Sequence, residues 1–246
     1  MKKLLVLQLR PETDAADAEF ASILNKCALP EEAAHRIRVD QEDIPVGLKV
    51  TDFAAVVVGG GPGCVSDPPE QKSELDARIE AQIFALMPQI TALDHPFMGC
   101  CYGLGILAKH LGGEVSKAQY GEPVGTAQCV VTAEAEADPL LQGLSPQFEA
   151  FVGHKEAVQS VPEVAVHLVA SDTCPVQMIR HGHNVYATQF HPEADAEDFE
   201  NRIRIYRNHG YFPPEDADRL IAACHAAQVS VPGEILRRFA VRYCGA

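Results

Sequence analysis

The stretch Pro96-Phe97-Met98-Gly99-Cys100-Cys101-Tyr102-Gly103-Leu104-Gly105-Ile106-Leu107 decides the fold. Its apolar start fits a short buried strand over 96–100. Helical spacing follows at once, over 103–111. Between them, Gly99-x-Cys101-x-Gly103 flanks one cysteine with small residues on both sides. A buried strand that turns directly into a helix is the repeating unit of a parallel α/β sheet.

The same alternation extends toward the N-terminus. Residues 4–9 form a continuous apolar run suited to a central strand, and 15–27 reads as a helix. Residues 53–58 give a second buried strand, stopped by Gly59-Gly60-Gly61-Pro62-Gly63. Over 73–91, Leu75, Ile79, Ile83, Phe84 and Met87 fall near one helical face. Toward the C-terminus the character changes. Shorter strands are expected at 126–132, 149–152, 164–170, 176–181 and 185–190, with Gly182-His183-Asn184 as a hairpin turn. After His191, helical patterns cover 195–208, 214–227 and 232–243, punctuated by Pro213-Pro214 and Val231-Pro232-Gly233. The expected fold is α/β: a doubly wound, mainly parallel central sheet with helices on both faces. Extra antiparallel strands lie in the second half, and a helical C-terminal tail follows. No internal repeat or linker divides the chain, so 1–246 is expected to be one domain, with 211–246 a helical extension.

At 47% hydrophobic residues the chain can build a sizeable core. Its formal net charge of −14 is spread along the sequence and argues against nucleic acid as a partner, because phosphate binding needs a basic face. Met1-Lys2-Lys3 before Leu4-Leu5-Val6-Leu7 faintly resembles a signal peptide, but Gln8, Arg10 and Glu12 close the run too early. No stretch reaches the roughly 20 apolar residues of a membrane span. Cysteines 27, 64, 100, 101, 129, 174, 224 and 244 show no Cys-x-x-Cys spacing. They are expected to be reduced thiols in a cytoplasmic protein.

The chemistry-bearing residues lie at expected strand ends. Cys101 sits where a strained strand–helix turn would expose its side chain, the thiol form of a nucleophile elbow. The helix N-terminus behind it would favour the thiolate. Cys100 should point into the core, since neighbouring side chains leave a strand on opposite faces. The bland reading of both as small buried hydrophobes is set aside by the two glycines and the strand–helix context. Gln189-Phe190-His191-Pro192-Glu193 follows the strand at 185–190, placing His191 as a base with Glu193 close enough to orient it. Gly59 to Gly63 end another buried strand. Gly60 or Gly61 N–H, with the N–H of Tyr102, would make an oxyanion hole. Phosphate binding is the rival reading, but the Gly-x-Gly-x-x-Gly pattern fails at Cys64 and no Gly-Lys-Ser/Thr is present. An ordinary tight turn is the third. Zinc at His181-x-His183 lacks four ligands at workable spacing, so no metal and no cofactor are expected. His35, His95, His110, His167, His209 and His225 read as surface or structural residues.

The order Gly-Gly-Pro-Gly, Gly-x-Cys-x-Gly, Gln-Phe-His-Pro-Glu resembles the class I, triad-type glutamine amidotransferases, and most closely the glutaminase domain of GMP synthase. The resemblance covers roughly residues 4–193. It implies a glutaminase: Cys101 attacks the side-chain amide of glutamine, His191 protonates the departing ammonia, and Glu193 orients His191. It also implies that the ammonia passes to a synthase domain or subunit; a homo-oligomer is left open. Phe151-Val152-Gly153-His154-Lys155-Glu156 looks like the family's Ser-His-Gly-Asp segment, with Glu156 in place of the Asp. Through it, Gly153, His154, Lys155 and Glu156 are expected at the substrate. The family usually has Gln where this chain has Gly105. That exchange would empty part of the pocket and admit a larger leaving group. A stand-alone γ-glutamyl peptide or amine hydrolase is therefore the second reading, and a non-catalytic binding relative the third.

Overall fold

In the computed structural model, residues 2–208 and 212–246 are described. Tyr211, the expected start of the C-terminal extension, lies outside the described residues, as do His209 and Met1. In chain order the main elements are β1 (Leu4–Gln8), α1 (Thr13–Cys27), β2 (Ala34–Arg38), β3 (Ala55–Val58), α2 (Glu74–Ala92), β4 (Phe97–Cys100) and α3 (Tyr102–His110). There follow β5 (Val115–Ser116), β6 (Glu122–Val131), β7 (Gln147–His154), β8 (Ala157–Val158), β9 (Ala165–Ser171), β10 (Met178–His181) and β11 (Val185–Thr188). Three helices close the chain: α4 (Ala196–Tyr206), α5 (Ala217–Ala226) and α6 (Val231–Cys244).

Nine strands make one sheet in the order β2-β1-β3-β4-β11-β10-β9-β6-β7. The run from β2 to β11 is parallel throughout. From β11 onward every pairing is antiparallel. β5 and β8 form a separate small ribbon. The central strands are buried on both faces, which is why they read as unbroken apolar runs rather than alternating ones.

The pleat sorts their side chains into two layers. Leu4, Val6, Val57, Met98 and Cys100 pack with Phe20, Ile23 and Leu24 of α1 and with Ile235, Leu236 and Phe239 of α6. Leu5, Leu7, Val56, Val58 and Phe97 pack on the opposite face with Ile79, Ile83 and Met87 of α2 and Leu104 and Leu107 of α3. Cys100 is fully buried, as the alternation requires. Ser73 caps α2 by accepting from Asp76 N, and Asp195 caps α4 in a reciprocal box with Asp198.

The sequence pattern misses β2. Its residues Ala34-His35-Arg36-Ile37-Arg38 carry three basic or imidazole groups, and as the sheet's edge strand it needs no apolar run. The helix expected over 214–227 opens as a short 3-10 turn over Pro214–Asp216, because the paired prolines withhold N–H donors.

α6 is the second surprise. It is not a loose tail: Phe239 is fully buried against the layer that holds α1. Phe239→Ala should cost about 3–5 kcal/mol of unfolding free energy, read as a lowered denaturant midpoint. A loss under about 1 kcal/mol would make α6 a detachable appendage.

Candidate active site

Three neighbouring parallel strands deliver the three motifs to one edge. β3 ends in the glycine turn, β4 in Cys101, and β11 leads to His191. In register Val58 lies beside Gly99, and Thr188 beside Cys100. The carboxyl edge of a parallel sheet is where α/β ligand sites form. Cys101 N donates to Thr188 O at 2.7 Å, and His191 N to Phe151 O at 3.0 Å, fixing both backbones.

Cys101 has φ 51° and ψ −94°, a left-handed conformation that a non-glycine residue adopts only under constraint. The constraint is visible at Gly99. A Cβ there would lie 2.9 Å from the backbone of Gly103, so the first turn of α3 sits directly on the end of β4. Gly60 is also tightly enclosed. A Cβ would lie 2.7 Å from Nη2 of Arg10 and 2.9 Å from Cε1 of His191.

His191 is almost wholly buried, and its Nδ1 lies 2.8 Å from Oε1 of Glu193. The carboxylate favours the tautomer with the proton on Nδ1, which leaves Nε2 as the basic nitrogen. Burial lowers the imidazole's pKa; Glu193 opposes this, and Arg202 and Arg10 reinforce it. For Glu193 burial works upward, but His191 and Arg202 outweigh it and hold the carboxyl well below its ordinary range.

The thiolate expected at the helix N-terminus is opposed by the surroundings of the half-buried Cys101. Burial pushes the Cys101 thiol up to about 12; Arg10 and Arg202 pull it down, while Glu193 and Glu156 add to the rise. The dipole of the nine-residue α3 does not reverse a desolvation of that size.

Two clefts meet at Cys101, Gly61 and Gly153. The first is polar. It brings together Gly61, Cys101, Tyr102, Gly105, Gly153, His154, Lys155 and Glu156, the residues expected at the oxyanion and substrate. Gly60 does not line it, but backs onto His191 instead. The vacancy expected at Gly105 is filled. A Cβ there would meet Oε1 of Glu156 at 3.1 Å and Cγ2 of Val65 at 3.2 Å, so the missing side chain makes room for Glu156 rather than for a larger ligand. The Glu156 carboxylate is buried and accepts from Val65 N at 2.9 Å and Ser66 N at 2.8 Å.

His154 lies under that loop. Its Nδ1 is 2.8 Å from Glu156 O and its Nε2 2.8 Å from Oε2 of Glu122, which Gln177 and Thr173 also contact. With Cys174, these groups bring three potential metal ligands within 4.8 Å, a juxtaposition that sequence spacing does not reveal. Both imidazole nitrogens and both Glu122 oxygens are taken by protein groups, so the cluster is a hydrogen-bonded pillar beneath the pocket. His181 and His183 flank the expected turn, tied to Val164 O and Asp94.

Sequence reasoning missed four residues here. Gln189 Nε2 reaches 3.8 Å from the Cys101 sulfur, near enough for a hydrogen bond. Its place in Gln-Phe-His-Pro-Glu was the available signal. Arg202, Glu19 and Arg10 gave none. Arg202 Nη2 donates to Oε1 of Glu193 at 2.9 Å, and Nη1 lies 3.0 Å from Nδ1 of His191. Glu19, fully buried on α1, binds Arg10 at 2.8 Å and lies 3.9 Å from Arg202. Two cations thus balance two carboxylates beneath the imidazole. Arg202→Met should raise the His191 pKa, because a cation that disfavours the imidazolium is removed; imidazole resonances followed by NMR against pH check the direction. The same change should cost about 3–5 kcal/mol of stability, since it strands a buried carboxylate.

The family model for class-I glutamine amidotransferases matches residues 22–215. The glutamine-hydrolyzing GMP synthase subunit from Sulfolobus acidocaldarius is 33% identical over 165 residues, which are 65% of this chain and 80% of that one. The glutamine-hydrolyzing GMP synthase of Thermosipho melanesiensis is 32% identical over 157 residues, 63% of this chain; the chain spans only 27% of that relative's length. The crystal structure of a glutamine amidotransferase from Thermotoga maritima superposes over the whole of both chains with a TM-score of 0.78 at 18% identity, a likeness of fold. The matched region includes both the cysteine elbow and the His-Pro-Glu segment, and the chain belongs to the class-I glutamine amidotransferase family.

Proposed function

We propose that this protein hydrolyses the side-chain amide of glutamine through a thioester on Cys101. The observation that carries this reading is the convergence of Cys101, His191 and the glycine turn on adjacent strand ends, with Glu193 2.8 Å behind the imidazole. Attack and deprotonation occur together in this reading. Cys101 Sγ bonds to the amide carbon as its proton passes to Nε2 of His191. The oxyanion meets N–H groups of Gly61 and Tyr102, the latter at the start of α3, where backbone donors have no helical partner. His191 returns the proton to the departing nitrogen, the C–N bond breaks, and ammonia leaves. Water, deprotonated by His191, then cleaves the thioester and releases glutamate.

The polar cleft supplies the recognition. Glu156 is the counter-charge for the α-ammonium of glutamine, and Lys155 the partner for its carboxylate. Gln189 positions the sulfur. The freed ammonia goes to a separate acceptor-activating chain; the relatives named as glutamine-hydrolyzing subunits of GMP synthase support a partner of that kind. We read residues 1–246 as one amidotransferase-like unit, since α6 shares a core layer with α1. The unbridged cysteines suit a reducing, cytoplasmic setting, and among the described residues no helix is long and apolar enough to cross a membrane.

Glutamate release from L-glutamine tests the proposal. Cys101→Ala should reduce it to background, and Glu193→Gln should lower kcat by roughly three to four orders of magnitude. Glu156→Gln should raise KM about tenfold, equivalent to about 1.4 kcal/mol, with a smaller change in kcat. Turnover that survives in Cys101→Ala would overturn the thioester mechanism.

A further inference from the structure

A buried chain of hydrogen bonds runs from β6 to the loop that follows the glycine turn. It starts at Glu122, which the Thr173 hydroxyl contacts and to which Gln177 Nε2 donates at 2.8 Å. Burial works against the charge on Glu122, but His154, Thr173 and Gln177 outweigh it and hold the carboxyl below its ordinary range. His154 stands opposite Glu122 in the β6–β7 ladder. Its Nε2 lies 2.8 Å from Glu122, and its Nδ1 lies 2.8 Å from the backbone oxygen of Glu156. A carbonyl only accepts, so Nδ1 carries a proton there. The Glu156 carboxylate continues the chain by accepting from Val65 N and Ser66 N. Val65 O accepts in turn from Lys109 Nζ at 2.6 Å, which holds the loop from its other side.

Glu122 and His154 are only 5% and 7% exposed. Burying such a pair is costly, and apolar residues of similar volume often join two strands equally well. An apolar pair cannot hold the Glu156 carbonyl in one place. Glu156 lies in the two-residue connection between β7 and β8, outside both strands. Its side chain enters a narrow slot, where a Cβ on Gly105 would meet Oε1 at 3.1 Å. A small shift of the Glu156 peptide would therefore carry the carboxylate off Val65 and Ser66 or against α3. A fully satisfied buried network of this kind specifies one geometry.

We infer that Glu122 and His154 are positioning residues for substrate binding, fixing the peptide of Glu156 so that its carboxylate stands ready for the α-ammonium group of the substrate. The inference rests on the glutaminase reading above, in which Glu156 is that counter-charge.

The test separates the two contacts of the imidazole. In His154→Gln the longer amide reaches Glu122 but not Glu156 O. In His154→Asn the shorter amide sets an N–H where Nδ1 stands and gives up Glu122. KM and kcat for L-glutamine are read from glutamate release by the full chain, with the thermal midpoint measured beside them. His154→Gln should raise KM at least about fivefold and leave kcat within about threefold, with little loss of midpoint. His154→Asn should keep KM within about twofold and lose more of the midpoint, because a buried carboxylate loses a donor. Added to Glu156→Gln, His154→Gln should raise KM by less than about twofold more, since nothing is left to position. If His154→Gln does not fold, Glu122→Gln carries the same expectations for KM and for the double variant. A KM within about twofold of the parent in the folded variant would overturn the inference and leave the glutaminase standing. So would an equal rise in the Gln and Asn variants, or a full addition on top of Glu156→Gln. Neither glutamate release nor a glutamyl adduct on Cys101 by intact mass, in the unaltered chain, would remove the glutaminase reading and the inference with it.

Discussion

The parallel pairing of β4 with β11 is the constraint on which the rest depends. It sets Thr188 beside Cys100, and the 2.7 Å bond from Cys101 N to Thr188 O locks the strained turn onto its neighbour. A one-residue slip would exchange the faces of every side chain on the strand. Cys100 would then leave the core, and Cys101 would leave the edge where His191 waits. Because β4 and β11 are buried on both faces, their register is held by packing on either side. Eighty-eight positions of separation in the sequence become one hydrogen-bonded neighbour in the sheet.

Beneath that edge the protein solves a second problem. A carboxylate that orients a buried imidazole is costly to desolvate. Glu193 is fully buried, and the chain compensates with Arg202 from α4, itself steadied by Glu19 from α1 and Arg10 beyond β1. Elements from the start and the end of the parallel region are thereby tied to one charge balance. The helix after His191 is thus part of this buried charge balance rather than a connection to the tail.

Much of this was legible in the sequence. Unbroken apolar runs at 55–58 and 97–100 announce strands buried on both faces, and the glycines around Cys101 announce the elbow. His191 and Glu193 are two residues apart, so their contact is local enough to read. What was not legible depends on the third dimension. Arg202 and Glu19 sit on helical faces where charged residues ordinarily meet solvent, and only the packing of α1 and α4 shows that they meet each other. The filling of Gly105 by Glu156 joins residues far apart in the chain. The charges around the thiol also escaped, because a helix N-terminus is visible in sequence and the guanidinium and carboxylate groups that gather near the sulfur are not.

That last feature reaches beyond the reaction itself. Its surroundings push the Cys101 thiol up to about 12, which disfavours the ionised sulfur near neutrality. Peroxide and alkylating electrophiles attack the thiolate. A sulfur held as the thiol is therefore a poor target for both until a base takes its proton.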